Sequence, residues 1–272
     1  MINKFHWVKN DNLYLCPASN QYGRTPVVSW ESVCTDKKHG CLGIVNSRQW
    51  NLAVIRKYTW WLACKSDHLW IQWVDHIYMK GMDWKTYEPS QNTRWTWRMI
   101  CKVKHLLKPG YVNNIWSGGN GVYTIKAGYQ WLQGTMAKVA WYPLVWNRFN
   151  VPKHSFITWL CVRQRLLTKN RLQAFGIVTD WLYDLCMIGD ETHMHLFYHC
   201  PFSSSYWQLL KDWLHVPLPG QDIINWCVKW RCKSLLKKHI VFAVVAAVLY
   251  SIWQCRNLCR LEQWVKFPRV VL

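Results

Sequence analysis

Acidic side chains are scarce in this sequence: 14 Asp and Glu stand against 34 Lys and Arg in 272 residues, a formal net charge of +20. No Asp-Asp pair and no Tyr-x-Asp-Asp occurs, so the paired carboxylates that hold two metal ions for nucleotidyl transfer are missing. The acids stand singly except Asp190-Glu191, and no converging set of the ribonuclease H kind is singled out. Glu191 precedes His195 by four residues and is a base on paper, but a lone acid marks no active site. There is no G-x-S-x-G nucleophile elbow. The sequence is therefore expected to be no enzyme.

Long apolar runs are missing too. "MINKFHWVKN" at the start has no continuous apolar core of the signal-peptide kind. The stretch "IVFAVVAAVLYSIW" (240–253) has 14 residues, short of the ~20 that cross a bilayer, and is expected as a buried helix with no membrane partner. Twelve cysteines are too few for a secreted disulfide scaffold in a chain this long. The expectation is an intracellular protein, nuclear or cytoplasmic, whose cysteines are free thiols or metal ligands.

What is abundant is positive charge and tryptophan. Residues 1–110 carry 16 basic and 7 acidic side chains, and residues 111–272 carry 18 and 7, so the excess is spread along the chain. Such a field favours polyanions, nucleic acid above all. The 22 tryptophans supply large semi-polar core edges, and an exposed one beside a cation can stack on an unpaired base.

Helical periodicity dominates, giving a mainly α fold. Residues 47–64 place Trp50, Val54 and Trp61 near one face, with Arg56 and Lys57 on another. Residues 67–81 form a helix closed by Gly81, and 92–110 a third one stopped by Pro109-Gly110. Gly118, Gly119 and Gly121 make a turn. They lack the Gly-Lys-Ser/Thr that a phosphate loop needs. A short strand over 122–125 and a helix over 126–132 follow. Pro152 opens a further helix, and Thr168 caps another from Lys169 to Phe175, closed by Gly176. Lys153, Arg163, Arg165, Lys169 and Arg171 lie in this pair, which contains no acid, and they are the candidate phosphate contacts. The other reading of them is a solvated basic face. Residues 203–214 form a helix with serine caps, a turn at "PLPG" follows, and the basic run 229–239 leads into the apolar helix.

The stretch "LCMIGDETHMHLFYHCP" (185–201) holds two cysteines and three histidines. Its end has the H-x4-C spacing of a zinc knuckle, His195 to Cys200, with Cys186 upstream. Tyr183 stands where a C-x2-C pair would need its first cysteine. From the residues alone, this is either a zinc site with one ligand missing or a buried cysteine among surface histidines.

"YTIKAGYQWL", "WNRFNVPKHSFITWL", "RLLTKNRLQAFGI" and "HLFYHCPFSSSYW", in that order over 121–208, resemble the zinc-binding domain that follows the reverse transcriptase of plant non-LTR (LINE-type) retroelements. "VSWESVCTDKKHGCLGI" with "WNLAVIRKYTWWL" is similar to the end of the same elements' polymerase region, and "LYSIWQCRN" to their C-terminal helix. The resemblance implies three parts: 1–110, the end of a polymerase; 121–208, the zinc-binding domain; 209–272, basic and apolar helices. It implies a small zinc-knuckle-like element at 183–200 and zinc as cofactor. The ligand positions would be Tyr183, Cys186, His195 and Cys200, of which the last three are competent ligands. His193, His199 or a water are the candidates for the fourth place. It also implies nucleic acid, RNA or DNA, as partner, and an upstream polymerase region as a second one. The alternatives are a protein-interaction fragment, or a decayed remnant without metal.

Overall fold

A computed structural model describes residues 28–112, 117–118, 122–176, 180–217 and 222–262. In chain order the elements are α1 (Trp30–Cys34), a 3-10 turn (Lys37–His39), α2 (Ser47–Ala63), α3 (Leu69–Val74) with a π-helical turn (Asp75–Met79), and α4 (Trp95–Val112). Next come β1 (Ser117–Gly118), β2 (Val122–Tyr123), α5 (Ile125–Gln133), α6 (Tyr142–Val145), α7 (Pro152–Val162) and α8 (Lys169–Ala174). A second π-helical turn (His195–His199), α9 (Pro201–Leu214), α10 (Ile223–Lys229) and α11 (Leu235–Glu262) complete them. The protein is mainly α, and among the described residues its strands are one short antiparallel pair, β1 with β2.

Contacts divide the chain into two compact units. One runs up to Gly43 and resumes at Lys138; the other is Ile44–Ala137. These boundaries differ from the motif-based division at 110, 121 and 208. Residues 1–27, Gly119, Gly121 and the turn at 218–220 lie outside the described residues.

In the Ile44–Ala137 unit, α2 packs on α4 and α5. Asn46 caps α2, its side chain accepting from Gln49 N. Expectation and structure differ over the faces of α2. Arg56 is fully buried and Trp50 exposed, because the guanidinium stacks over the rings of Trp131 (4.3 Å) and Tyr123 (5.8 Å). Lys80, not Gly81, takes the left-handed cap after the π turn, returning its N–H to Asp75 O. Helix α4 runs on past Pro109-Gly110, its expected stop, to Val112. The strand expected to reach Ile125 ends at Tyr123, since the Thr124 side chain accepts from Ala127 N and starts α5 at Ile125.

In the other unit, α11 is the spine. It packs against α6, α7 and α9, and Val241, Phe242, Val245, Leu249 and Ile252 are buried in the core. Its 28 residues far outrun the apolar 240–253. It is the one helix, among the described residues, long and apolar enough to cross a membrane. Helix α7 is buried on nearly every side, with Ile157, Trp159, Leu160, Cys161 and Val162 in the core. Pro152 begins it as expected. Trp159 is fully buried and donates its Nε1–H to Gly40 O at 2.8 Å, and Trp207 donates to Phe197 O at 2.6 Å. Both indoles are core, with their polar edges satisfied, and neither is free to stack on a base.

Candidate metal centre

The segment 182–200 folds back on itself twice. Leu182 and Asp190 form an antiparallel bridge, Tyr183 N donates to Gly189 O (2.9 Å), and Met187 N donates to Tyr183 O (2.9 Å). This turn lifts Cys186 to its tip, with Met187 in the left-handed region (φ 55°). Gly189 lies against the imidazole of His195; a Cβ there would sit 3.2 Å from the ring. Thr192 Oγ1 accepts from His195 N (3.1 Å), and Cys200 N closes the π turn on His195 O (2.8 Å). That wider turn brings Cys200 back to the side of His195.

The outcome is a cluster of three donors. The Cys186 and Cys200 sulfurs and a His195 ring nitrogen all lie within 4.8 Å of one another, with Cys186 Sγ 3.1 Å from His195 Nε2. Tetrahedral zinc with ordinary Zn–S and Zn–N bonds sets such donors about 3.5–3.8 Å apart, so the set fits the ion with little adjustment. Burial and the neighbouring His199 depress the His195 pKa, which favours the neutral, ligating imidazole. Burial pushes the Cys200 thiol up to about 11, opposed by the amides of Ser203 and Phe202 at the start of α9. A bound cation would complete what those amides begin, by holding the thiolate.

Tyr183 is fully buried, edge-on to the His195 ring at a centroid distance of 5.8 Å. Its hydroxyl has no hydrogen-bond partner among the described residues. Burial, with Cys200 and Glu191 nearby, drives its pKa far above the ordinary phenol value. The phenol is therefore held neutral in the metal-free protein, where it is a poor donor to a cation. The histidines considered for the fourth place do not join the cluster: His193 Nε2 lies 3.4 Å from Cys161 Sγ, its pKa pushed down to about 4 by burial, and His199 is exposed.

Glu191 is not a base at this site. It is fully buried, and its Oε1 accepts from Lys169 N (2.9 Å) and from Arg256 Nε (3.0 Å) and Nη2. The first of these bonds caps α8, the part expected of the Thr168 side chain, which makes no cap bond. Likewise Cys200 and Pro201 begin α9, while Ser203, expected as a cap, donates to Leu196 O. The Glu191–Arg256 pair ties the metal turn to α11, a function that no local sequence pattern signals.

The five expected phosphate contacts separate. Lys169 is buried and its ammonium is spent on Asp180 Oδ2 (2.8 Å), Leu182 O (2.6 Å) and Asp184 Oδ1 (2.5 Å). Its own helix pair has no acid, but the turn beneath supplies two, so it is corrected from phosphate contact to internal ion pair. Arg163 is half-buried, donating to Gly40 O (3.0 Å) and lying over the Trp159 ring. Arg171 is half-buried beside Phe175. Lys153 and Arg165 are exposed.

Residues 123–207 match the family model described as zinc-binding in reverse transcriptase. The matched span contains the three-donor cluster and the Tyr183 position. It starts in the Ile44–Ala137 unit and ends within α9. No curated protein and no solved structure matches the chain. The span is thus similar by sequence to a reverse-transcriptase-associated zinc-binding region, and three of its side chains converge as a candidate metal site. Zinc held by Cys186, His195 and Cys200 would supply a structural cross-link between the 183–189 turn and the start of α9. The surrounding residues do the rest: Thr192 holds the His195 backbone N–H, Gly189 lies against the imidazole, and the α9 amides favour the thiolate.

Proposed function

We propose that this chain is a non-catalytic, zinc-stapled part of a plant non-LTR-type retroelement reverse transcriptase, and that it binds nucleic acid inside the cell. The observation that carries the reading is the convergence of Cys186, His195 and Cys200 within the matched span 123–207. The net charge of +20 supports a polyanionic partner. An upstream polymerase region is the second partner that the reading implies. The direct test is zinc per chain by elemental analysis, for the purified chain and Cys200→Ser, with oligonucleotide binding measured across a salt series. About one zinc per chain that Cys200→Ser loses, with binding that weakens steeply as salt rises, supports it. A metal-free chain whose binding ignores salt would overturn it.

A second reading, a remnant whose metal site has lapsed, draws on Tyr183 alone. A buried neutral phenol offers no fourth anionic donor. The same zinc measurement separates the two.

A further inference from the structure

The α7–α8 basic pair loses Lys169 and part of Arg163 to internal bonds, which raises the question of where a nucleic-acid strand would lie. Another edge of the same unit carries cations in a different setting. Lys37 Nζ lies 4.6 Å over the Trp146 ring, the Arg148 guanidinium 4.7 Å over Phe149, and Lys153 Nζ 4.8 Å over Tyr250. All three cations are exposed, as is Phe149 at 43%.

These pairs form one edge. The 3-10 turn carrying Lys37 packs on α6, which packs on α11. Asn147 Nδ2 donates to His239 O, the Phe149 and His239 rings meet at 6.3 Å, and His154 meets Tyr250 at 4.7 Å. His239 and Tyr250 are eleven residues apart on α11, hence on nearly the same stripe and about 16 Å apart along the axis. The segment 146–154 is therefore fastened along α11 at both ends. Neither it nor α11 before Glu262 contains an acid; exposed Asp36 precedes Lys37 as the cap of its turn.

We infer that single-stranded nucleic acid binds along this edge, its phosphates on Lys37, Arg148 and Lys153 and a base on Phe149. The inference rests on the nucleic-acid reading above and locates it. Two physical features favour it. Alternating cations and aromatic faces suit a single strand, because every base offers a π-face and every nucleotide a phosphate. The cations are pre-placed by their rings and make no ion pair among the described residues, so little must be broken there to engage a phosphate.

The experiment uses the full zinc-loaded chain and a fluorescent single-stranded oligothymidylate, with affinity measured by anisotropy over a salt series. In Arg148→Gln/Lys153→Gln, binding is expected to weaken by about tenfold, and the slope of log K against log salt to flatten by about 1.4, at roughly 0.7 per lost phosphate. Arg165→Gln/Arg171→Gln, after the end of α7 and on α8, should leave both unchanged. Phe149→Ala should cost about fivefold or more. Phe149→Leu, which keeps apolar bulk for packing, should weaken binding in the same way. Wild-type binding in Phe149→Leu would overturn the stacking assignment.

If the unaltered chain binds but only the Arg165/Arg171 variant weakens, the placement is overturned and the nucleic-acid reading stands. If the unaltered chain does not bind the oligonucleotide even at low salt, that reading falls, and this one with it. Sedimentation with phosphatidylserine vesicles, abolished in Arg148→Gln/Lys153→Gln while oligonucleotide binding persists, would assign the edge to an anionic membrane surface and overturn the proposal.

Discussion

Arg256 on α11 and Glu191 at the metal turn are paired inside the core, the Nε at 3.0 Å from Oε1, although 65 residues separate them. The carboxylate is fully buried and the arginine nearly so. Arg256 Nη2 also donates to Leu167 O (3.2 Å), so one side chain gathers the start of α8, the metal turn and α11. Removing one partner strands the other charge out of water, which costs about 3–5 kcal/mol. Glu191→Gln and Arg256→Met should each lower unfolding free energy by that order in urea titration. The double variant should cost much less than the sum. Additive costs in the cycle would mean that the pair is not coupled.

Lys169 makes a prediction of opposite kind, since it matters to stability and not to phosphate. Burial alone would pull its pKa down, but the hydrogen bonds to Asp180 and Asp184 outweigh it and hold the pKa above the ordinary lysine value. The native state thus binds this proton more tightly than the unfolded chain. Its stabilisation is fully present below the ordinary lysine pKa of ~10.4 and is lost as pH rises through the higher native value. Lys169→Met should lose about 1–3 kcal/mol at neutral pH and show a weaker alkaline decline in stability than the unaltered chain. Oligonucleotide affinity should not change. A clear loss of affinity in this variant at full zinc content would return Lys169 to the binding surface.

Spacing made much of the site readable. His195 and Cys200 are five positions apart and Cys186 nine before His195, close enough that one local turn unites them. Helix existence was readable for the same reason, from apolar period and from local stops such as Pro152. What the sequence hid was long-range partnership. The acids that consume Lys169 lie 11 and 15 residues further on, and Glu191 reads as a lone acid until α11 brings Arg256 to it. Arg56 looks like a surface cation because no one-dimensional pattern announces the rings of Trp131 and Tyr123 that cover it. Pro109 misleads in the other direction: the helix expected to stop there extends to Val112.

Gly128 in α5 tests the packing of the Ile44–Ala137 unit. In an exposed helix interior, glycine to alanine normally stabilises by about 1 kcal/mol. Here a Cβ would lie 1.9 Å from the Tyr123 hydroxyl oxygen, and that hydroxyl donates to Ala53 O at 2.7 Å. Tyr123 is buried and cannot step aside without breaking this bond. Overpacking of this kind costs about 1–3 kcal/mol, so Gly128→Ala should destabilise despite its propensity. Gly128→Ala paired with Tyr123→Phe should regain part of the loss, because the offending oxygen is removed. Thermal denaturation of the four chains checks the sign; a stabilised Gly128→Ala would mean that α5 does not pack on Tyr123 as described.

Tyr183 gives the most discriminating prediction, because its two effects have opposite signs. Replacing it by cysteine deletes a fully buried ring beside His195, and losing a large aromatic from a core costs about 3–5 kcal/mol. The same change supplies a fourth donor where closed structural zinc sites have one. Without metal, Tyr183→Cys should therefore melt below the unaltered chain. With zinc it should recover, and in competition with a chromogenic chelator its affinity should exceed the unaltered chain's by about an order of magnitude or more. Tyr183→Phe separates ring from hydroxyl: it removes a buried O–H that has no partner among the described residues, which is neutral or stabilising, and should leave zinc content as it was. Loss of zinc in Tyr183→Phe would make the phenol itself a ligand, against its burial and its raised pKa.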